Sequence, residues 1–537
     1  LGEQRPQTSR DSIYEVQCGY RWRNSRHISQ EETLVCRTVH RAEPAVAFDP
    51  SQIYDAERPE SRRGKFRITE EAMKISKWYL AAGLFLFALA QPGLAAPRTF
   101  QLRNGDRVLF YGDSITEQRY WTVAVETYVR TRFPNLQVTF RNSAVGGATV
   151  TGNWIAPVDQ SLERDVFPFK PNIVTIMLGM NDGKYRPFNQ AIFDTYREGY
   201  RHIIQSLRAH LPGVKIVLIQ PTPWDDITAK PSYLNNPDHA PGGYDSVMRR
   251  YCQFVRKLGA GEHLQVVDFH TPLIQLMKGT EETEPWLAGK IIPGRIHPGA
   301  SAQLVMAQTM LKAWDAPAMV SRVVINASKA KVSHYDRARV TGLSSRDGQV
   351  TWTETDDALP YPIMTLHSTK WPQFPPDPWS GWKENVLWPL PPLESSTINP
   401  VTALAVKLSG MYQALDSETL RISGLKAGEY ALTIDSHPVG KFTGAQLARG
   451  IDLARYDTPM MEQADKVLTL VWHRVDVRFY GWRAIQAALR YDKTPGLPQA
   501  IANIVNLLDG EQQNLIVQTH AAAQSQAHHY VLTPVAP

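Results

Sequence analysis

Between residues 97 and 316, short apolar runs alternate with stretches that carry apolar residues at helical spacing. Residues 108–111 and 173–178 read as buried strands, 214–219 and 264–267 as strands, and 137–141 alternates as a half-buried strand does. Residues 120–133, 161–167, 188–211, 244–258 and 300–314 read as helices. Pro212-Gly213 stops the third of these and Gly259 the fourth. Apolar strands separated by helices form a mostly parallel sheet covered on both faces. An α/β domain is therefore expected over residues 96–317. Ligand sites in such sheets lie beyond the carboxyl ends of the strands. The loops after the apolar runs are the places to look for chemistry.

The ends of the chain read differently. Residues 1–72 mix charges with little apolar periodicity and contain no methionine, the first being Met73. A short basic segment follows (Met73-Lys74-Ile75-Ser76-Lys77), then an apolar run over 78–90 and a small-x-small site at Gly93-Leu94-Ala95. That order is expected of a signal peptide over 73–95, with a run too short for a comfortable membrane span. Residues 1–72 are then expected to be a mis-assigned or disordered extension. The mature protein would begin near Ala96, be secreted or periplasmic, and keep no stable membrane span. The net charge is +6 without a Lys/Arg-rich block, which argues against nucleic acid as a partner. Cys18, Cys36 and Cys252 form no CxxC pair, so neither a structural zinc site nor a disulfide framework is expected.

Four loops carry candidate chemistry. Gly112-Asp113-Ser114-Ile115-Thr116 follows the first strand. A serine there can attack an acyl carbon if a base takes its proton and donors hold the oxyanion, although a Gly-Asp-Ser turn also reads as plain turn chemistry. Gly146-Gly147 follows the second strand and lets the backbone approach a ligand, or simply makes a tight turn. Gly179-Met180-Asn181-Asp182 follows the third, where Asn181 can offer an amide N–H to an oxyanion or close an Asx-turn. His297-Pro298 precedes the last helix, and histidine suits general-base work, though a lone loop histidine is commonly just a surface residue.

Taken together, these four blocks resemble the SGNH (GDSL) hydrolase superfamily, in the right order, from about residue 106 to 314. The resemblance extends more loosely, through Gln118-Arg119-Tyr120 and residues 178–186, to secreted bacterial esterases with a C-terminal accessory region. It implies a flavodoxin-like, three-layer αβα domain with a parallel sheet. It implies Ser114 as nucleophile and His297 as general base, with the backbone N–H groups of Ser114 and Gly147 and the Asn181 amide as oxyanion hole. No metal or organic cofactor is implied. One position departs from the pattern: the family places an Asp three residues before the histidine, and here that residue is Gly294. Two accounts stay open. A main-chain carbonyl near Pro293 or Gly294 orients His297, or a carboxylate such as Glu282 or Glu284 takes the role. Asp268, just after a strand, reads as a structural acid, and Asp113 as a brace for its loop.

Beyond the hydrolase domain, residues 318–403 read as a β-rich and then Pro/Trp-rich connection, with Trp371, Trp379, Trp382 and Trp388, and residues 404–537 as an accessory region. A hairpin is expected around Gly424–Gly428, and helices over 459–465, 484–491 and 498–508. The expected activity is hydrolysis of acetyl or other short acyl esters, on a small molecule or a polysaccharide, through an acyl-Ser114 intermediate. The alternatives are a lipase or lysophospholipase, and a non-catalytic carbohydrate-binding protein built on an inactive hydrolase domain, which the Gly294 departure would suit.

Overall fold

A computed structural model describes residues 99–228, 242–363, 400–487 and 489–535. Residues 73–95, where a signal peptide is expected, Cys18, Cys36 and the four tryptophans between 371 and 388 lie outside these residues. Five strands build the first sheet: β1 (Arg107–Gly112), β2 (Thr139–Asn142), β3 (Ile173–Met177), β4 (Lys215–Gln220) and β5 (Gln265–Asp268). All pair in parallel, in the order β2-β1-β3-β4-β5. This is the flavodoxin-like winding, with its switch point between β1 and β3.

The strands are joined and covered by α1 (Tyr120–Arg132), α2 (Val158–Asp165), α3 (Gln190–His210), α4 (Asp245–Glu262), α5 (His270–Thr283) and α6 (Ala300–Ala313). On one face Tyr196 and Tyr200 of α3 pack edge-on against Phe254 of α4. On the other, Trp121 of α1 meets Phe110 and Phe269 edge-on, and α6 packs along α1. The α3 tyrosines also hold the sheet's carboxyl edge: their hydroxyls donate to the Leu178 and Ile176 carbonyls, each at 3.0 Å.

Two expectations for this domain need correction. Gly259 does not end α4. A Cβ there would stand 2.1 Å from the Val266 side chain, so the glycine lets the helix press against β5. The stop falls four residues later, at His263, whose φ of +54° supplies the left-handed cap. Residues 280–298, which the sequence pattern suggests are a long loop before the last helix, hold the end of α5, one turn at Pro285–Ala288 and another at Pro293–Arg295.

The second half holds β6 (Met319–Asn326), β7 (Lys331–Asp336), β8 (Ala338–Arg346), β9 (Gln349–Asp356), β10 (Ser417–Ser423), β11 (Glu429–Ile434), β12 (His437–Thr443), β13 (Ile451–Asp452) and β14 (Ala527–Pro534). They form two sheets, β13-β10-β6-β7 and β12-β11-β14-β9-β8. The hairpin expected around Gly424–Gly428 is therefore absent: β10 and β11 belong to different sheets, and β11 pairs with β12 instead. Nor does a boundary at 403/404 divide the structure, because β6 and β9 pair with strands beyond it. Helices α7 (Pro400–Ser409), α8 (Pro459–Tyr480) and α9 (Leu497–Ala522) complete the region, with a π-helical stretch at Gly481–Ala487. Among the described residues no helix is long and apolar enough to cross a membrane.

The two halves are tied by buried charge. The Arg132 guanidinium stands 3.1 Å from the Asp416 carboxylate, both fully buried, and also donates to the Pro317, Ala318 and Leu415 carbonyls. Arg474 of α8 reaches Glu126 of α1. The described residues accordingly belong to one compact unit.

Candidate active site

Ser114 opens a one-turn helix, Ser114–Glu117, at the carboxyl end of β1. The turn is tight because residue 112 has no side chain. A Cβ on Gly112 would lie 2.7 Å from the Thr116 hydroxyl and 2.9 Å from the Met177 carbonyl. Asp113 caps the turn, its carboxylate accepting the Ile115 N–H at 3.0 Å. Burial pushes its pKa up to about 7. It braces the loop, as its position in the sequence suggested.

His297 Nε2 lies 2.8 Å from Ser114 Oγ, across 183 residues of chain. With Nε2 unprotonated, the serine hydroxyl donates to it, which is the geometry a general base needs. The histidine loop is held from two sides. Arg295 takes a left-handed conformation (φ +71°) directly after Gly294 (φ +68°). Its guanidinium donates to the Asp225 carbonyl at 2.8 Å, pairs with Asp226 at 2.6 Å and lies over Trp224. On the other side Gln303 donates to the Pro298 carbonyl at 3.1 Å and accepts the Trp121 N–H at 3.2 Å, so one amide joins the histidine loop to the helix after the serine.

The acids weighed for His297 are placed as follows. Glu282 and Glu284 are exposed, and the Glu284 carboxylate accepts the Trp286 indole N–H at 2.9 Å. Asp268 accepts the Thr271 N–H and hydroxyl at the start of α5. Gly294, where the family's Asp would stand, lies in the Pro293–Arg295 turn.

Burial pushes the His297 pKa down to about 4. A general base must be neutral, so the acid limb of the rate is displaced downward. The expected kcat/KM profile of the free enzyme is flat from neutral pH to about pH 5 and falls through about pH 4, rather than through the 6.5 of an ordinary imidazole. A pH–rate series on an activated ester in constant-ionic-strength buffer checks this; an acid limb at 6.5 would contradict it.

Asn181, after β3, is oriented through both ends of its amide. Its Oδ1 accepts the Tyr185 hydroxyl at 2.7 Å, and its Nδ2 donates to the Ala148 carbonyl at 3.1 Å. Nδ2 carries two N–H groups, so the second is available to an oxyanion. Asp182 ties the same loop to the glycine loop by accepting the Val150 N–H at 2.9 Å, and burial pushes its pKa up to about 7. Gly147 sits at φ +71° and is exposed, while the neighbouring Gly146 N–H is taken by the Glu117 carboxylate at 2.9 Å. Of the glycine pair, Gly147 is thus the more accessible.

Several residues of this arrangement went unnoticed in the sequence. Tyr185 stands four residues after Asn181, and the only hint was its membership of the same block. Gln303 looks like one more polar residue on an amphipathic helix. Arg483 is the least legible: it comes from the π-helical stretch 366 residues away, and its Nε donates to Glu117 at 2.6 Å, behind the glycine loop.

Residues 110–303 match the GDSL-like Lipase/Acylhydrolase family. This α/β domain belongs to the SGNH hydrolase superfamily, and the chain is a carboxylic ester hydrolase. Among solved structures, a gut microbial diltiazem-metabolizing enzyme is 21% identical and superposes with a TM-score of 0.65, covering 81% of this chain and 99% of its own. The fold thus extends to the C-terminal region. An acetyl xylan esterase, AlAXEase (22% identity, TM-score 0.31), covers 38% of this chain and 98% of its own. An extracellular lipase from Streptomyces rimosus (13% identity, TM-score 0.27) covers 39% and 97%. A comparison with curated protein sequences returns no match.

Proposed function

We propose that the protein is a secreted serine esterase that removes acetyl or other short acyl groups, with carbohydrate esters as its substrate class. The observation that carries the catalytic part is the 2.8 Å pair of Ser114 Oγ and His297 Nε2. In this reading Ser114 attacks the acyl carbon as His297 takes its proton. The oxyanion is held by the N–H groups of Ser114 and Gly147 and by Asn181 Nδ2. His297 then returns the proton to the leaving alcohol, and water activated by the same histidine releases the acyl group from Ser114.

The carbohydrate assignment rests on the rim. Trp154 is 57% exposed, and the Arg483 guanidinium lies 4.6 Å from its ring while also bonding Glu117. An exposed indole this close to the glycine loop suits stacking on a sugar ring. The reading of 73–95 as a signal peptide supports secretion.

The test is a series of p-nitrophenyl esters from acetate to decanoate, set beside acetate release from acetylated oligosaccharide, with fluorophosphonate labelling mapped by mass spectrometry. The proposal expects label on Ser114, the highest kcat/KM at the shortest chains, and acetate release from the oligosaccharide. A rate that climbs with chain length would make the protein a lipase. Absence of labelling and of hydrolysis would sink the esterase reading.

A further inference from the structure

A cavity of about 360 Å3 lies along the edge strand β2, between the hydrolase sheet and helices α8 and α9. Its wall is cationic. Arg119 and Arg141 reach it from the hydrolase domain, Arg474 and Arg478 from α8, and Asp509 of α9 is the carboxylate in the lining. The acids around it do not balance these charges. Arg119 stands 3.5 Å from Asp476. Arg474 shares Glu126 with Arg130, which lies 3.2 Å from the same carboxylate. Asp165, which also acts on Arg141 and Arg478, is already held by Arg164 at 2.5 Å and by the Trp482 indole at 3.0 Å. Among the described residues, five guanidiniums (Arg119, Arg130, Arg141, Arg474, Arg478) thus face three carboxylates (Glu126, Asp476, Asp509), an excess of two positive charges.

The hydrogen bonding is incomplete in the same place. The Nε–H groups of Arg119, Arg474 and Arg478 are each buried without an acceptor among the described residues. A buried charged donor left unpaired is costly, and such groups call for a ligand, ion or water. The forks are nonetheless held in fixed planes. Arg119 lies 3.9 Å over Phe479 and Arg141 lies 4.2 Å over Phe169, contacts that orient a guanidinium without using its donors. Burial, with Arg478 beside it, pushes the Arg141 pKa down to about 10, the sign of a cation lacking its counter-charge. Asp509 is exposed, so water screens its repulsion of an anion.

We propose that this cavity binds a phosphate dianion, either inorganic phosphate or the phosphoryl group of a small molecule. Two negative charges match the excess. Planar guanidinium forks match phosphate oxygens in pairs. The volume exceeds what one phosphate ion fills and lies in the range of small-molecule sites. The ligand bridges α8 to β2, and so fastens the C-terminal helices to the hydrolase sheet. The site is separate from Ser114 and does not depend on the esterase reading.

The experiment is thermal unfolding and titration calorimetry of the full chain with inorganic phosphate, against sodium chloride at matched ionic strength, with glucose 6-phosphate as a second arm. A saturable rise in Tm of about 2–5 °C is expected with phosphate and not with chloride. Arg141→Gln and Arg478→Gln should each weaken phosphate about tenfold or more. Arg141→Lys keeps the charge but loses the fork, and should weaken it several-fold, which keeps the test open if a glutamine variant does not fold. Tighter binding of glucose 6-phosphate than of phosphate would support a phosphorylated molecule as ligand; equal or weaker binding would support the free ion. A phosphate shift no larger than that of chloride, or an affinity unchanged in the foldable variants, would overturn the proposal.

Discussion

Ser114→Ala is expected to lower kcat on p-nitrophenyl acetate by about 10⁴- to 10⁶-fold. The substitution removes one oxygen, the one 2.8 Å from His297 Nε2, and in the proposed mechanism that oxygen forms the acyl-enzyme. Its effect on the fold should be small. The turn is set by Asp113 accepting the Ile115 N–H and by the close approach at Gly112, neither of which uses the serine hydroxyl. The measurement is steady-state kinetics on purified variant and wild type, with circular dichroism to show equal folding. A loss under tenfold would mean that another group attacks the ester.

The second large effect falls on the oxyanion. With the Asn181 amide in the proposed oxyanion role, bonding the charge that develops in the transition state, Asn181→Ala should lower kcat by about 10²- to 10³-fold with little change in KM. Tyr185→Phe is the informative companion. It leaves Asn181 in place but removes the hydroxyl that fixes the amide's orientation through Oδ1. A loss of about tenfold at most is expected, the worth of one ordinary hydrogen bond. If Tyr185→Phe costs as much as Asn181→Ala, the tyrosine itself contacts the reacting atoms. If Asn181→Ala raises KM and spares kcat, Asn181 binds substrate rather than the oxyanion.

Much of the hydrolase domain was legible because apolar periodicity is a local signal. The five strands stand where their runs predicted: β1, β3 and β4 are buried along nearly their whole length and so are largely apolar, while β2 is only partly buried. The meeting of Ser114 with His297 was legible for a related reason: one follows a strand and the other precedes a helix, and a parallel sheet gathers such loops at one edge. Failures came where a local signal had two meanings. Gly259 reads as a helix stop and is a packing glycine against Val266. Helix α5 carries Pro272 and Gly279, both breakers in most settings, yet proline fits the first turn of a helix and Gly279 packs against Leu408. Helix α8 was recognised only over its first turns. Its later turns carry four valines (Val467, Val471, Val475, Val477), poor helix formers by propensity, yet Val467, Leu468, Val471 and Trp472 bury one helical face. The β10–β11 segment looked like a hairpin because a glycine-bounded loop is all that sequence shows; which sheet each strand joins is decided by partners about 100 residues away.

The Arg483–Glu117–Gly146 contact bears on how this protein comes into being. The glycine loop of the hydrolase domain is braced by a residue that follows it by more than 300 positions. The region carrying that residue is closed by β14, which lies between β11 and β9 in the interior of its sheet. A nascent chain emerging from the ribosome has the serine, the asparagine and the histidine long before it has the brace or the strand that locks the brace's surroundings. The support of the glycine loop is therefore complete only late in synthesis, and part of it comes from outside the portion matching the hydrolase family. Grafting or trimming at residue 316 would cut away one side of the glycine loop's support.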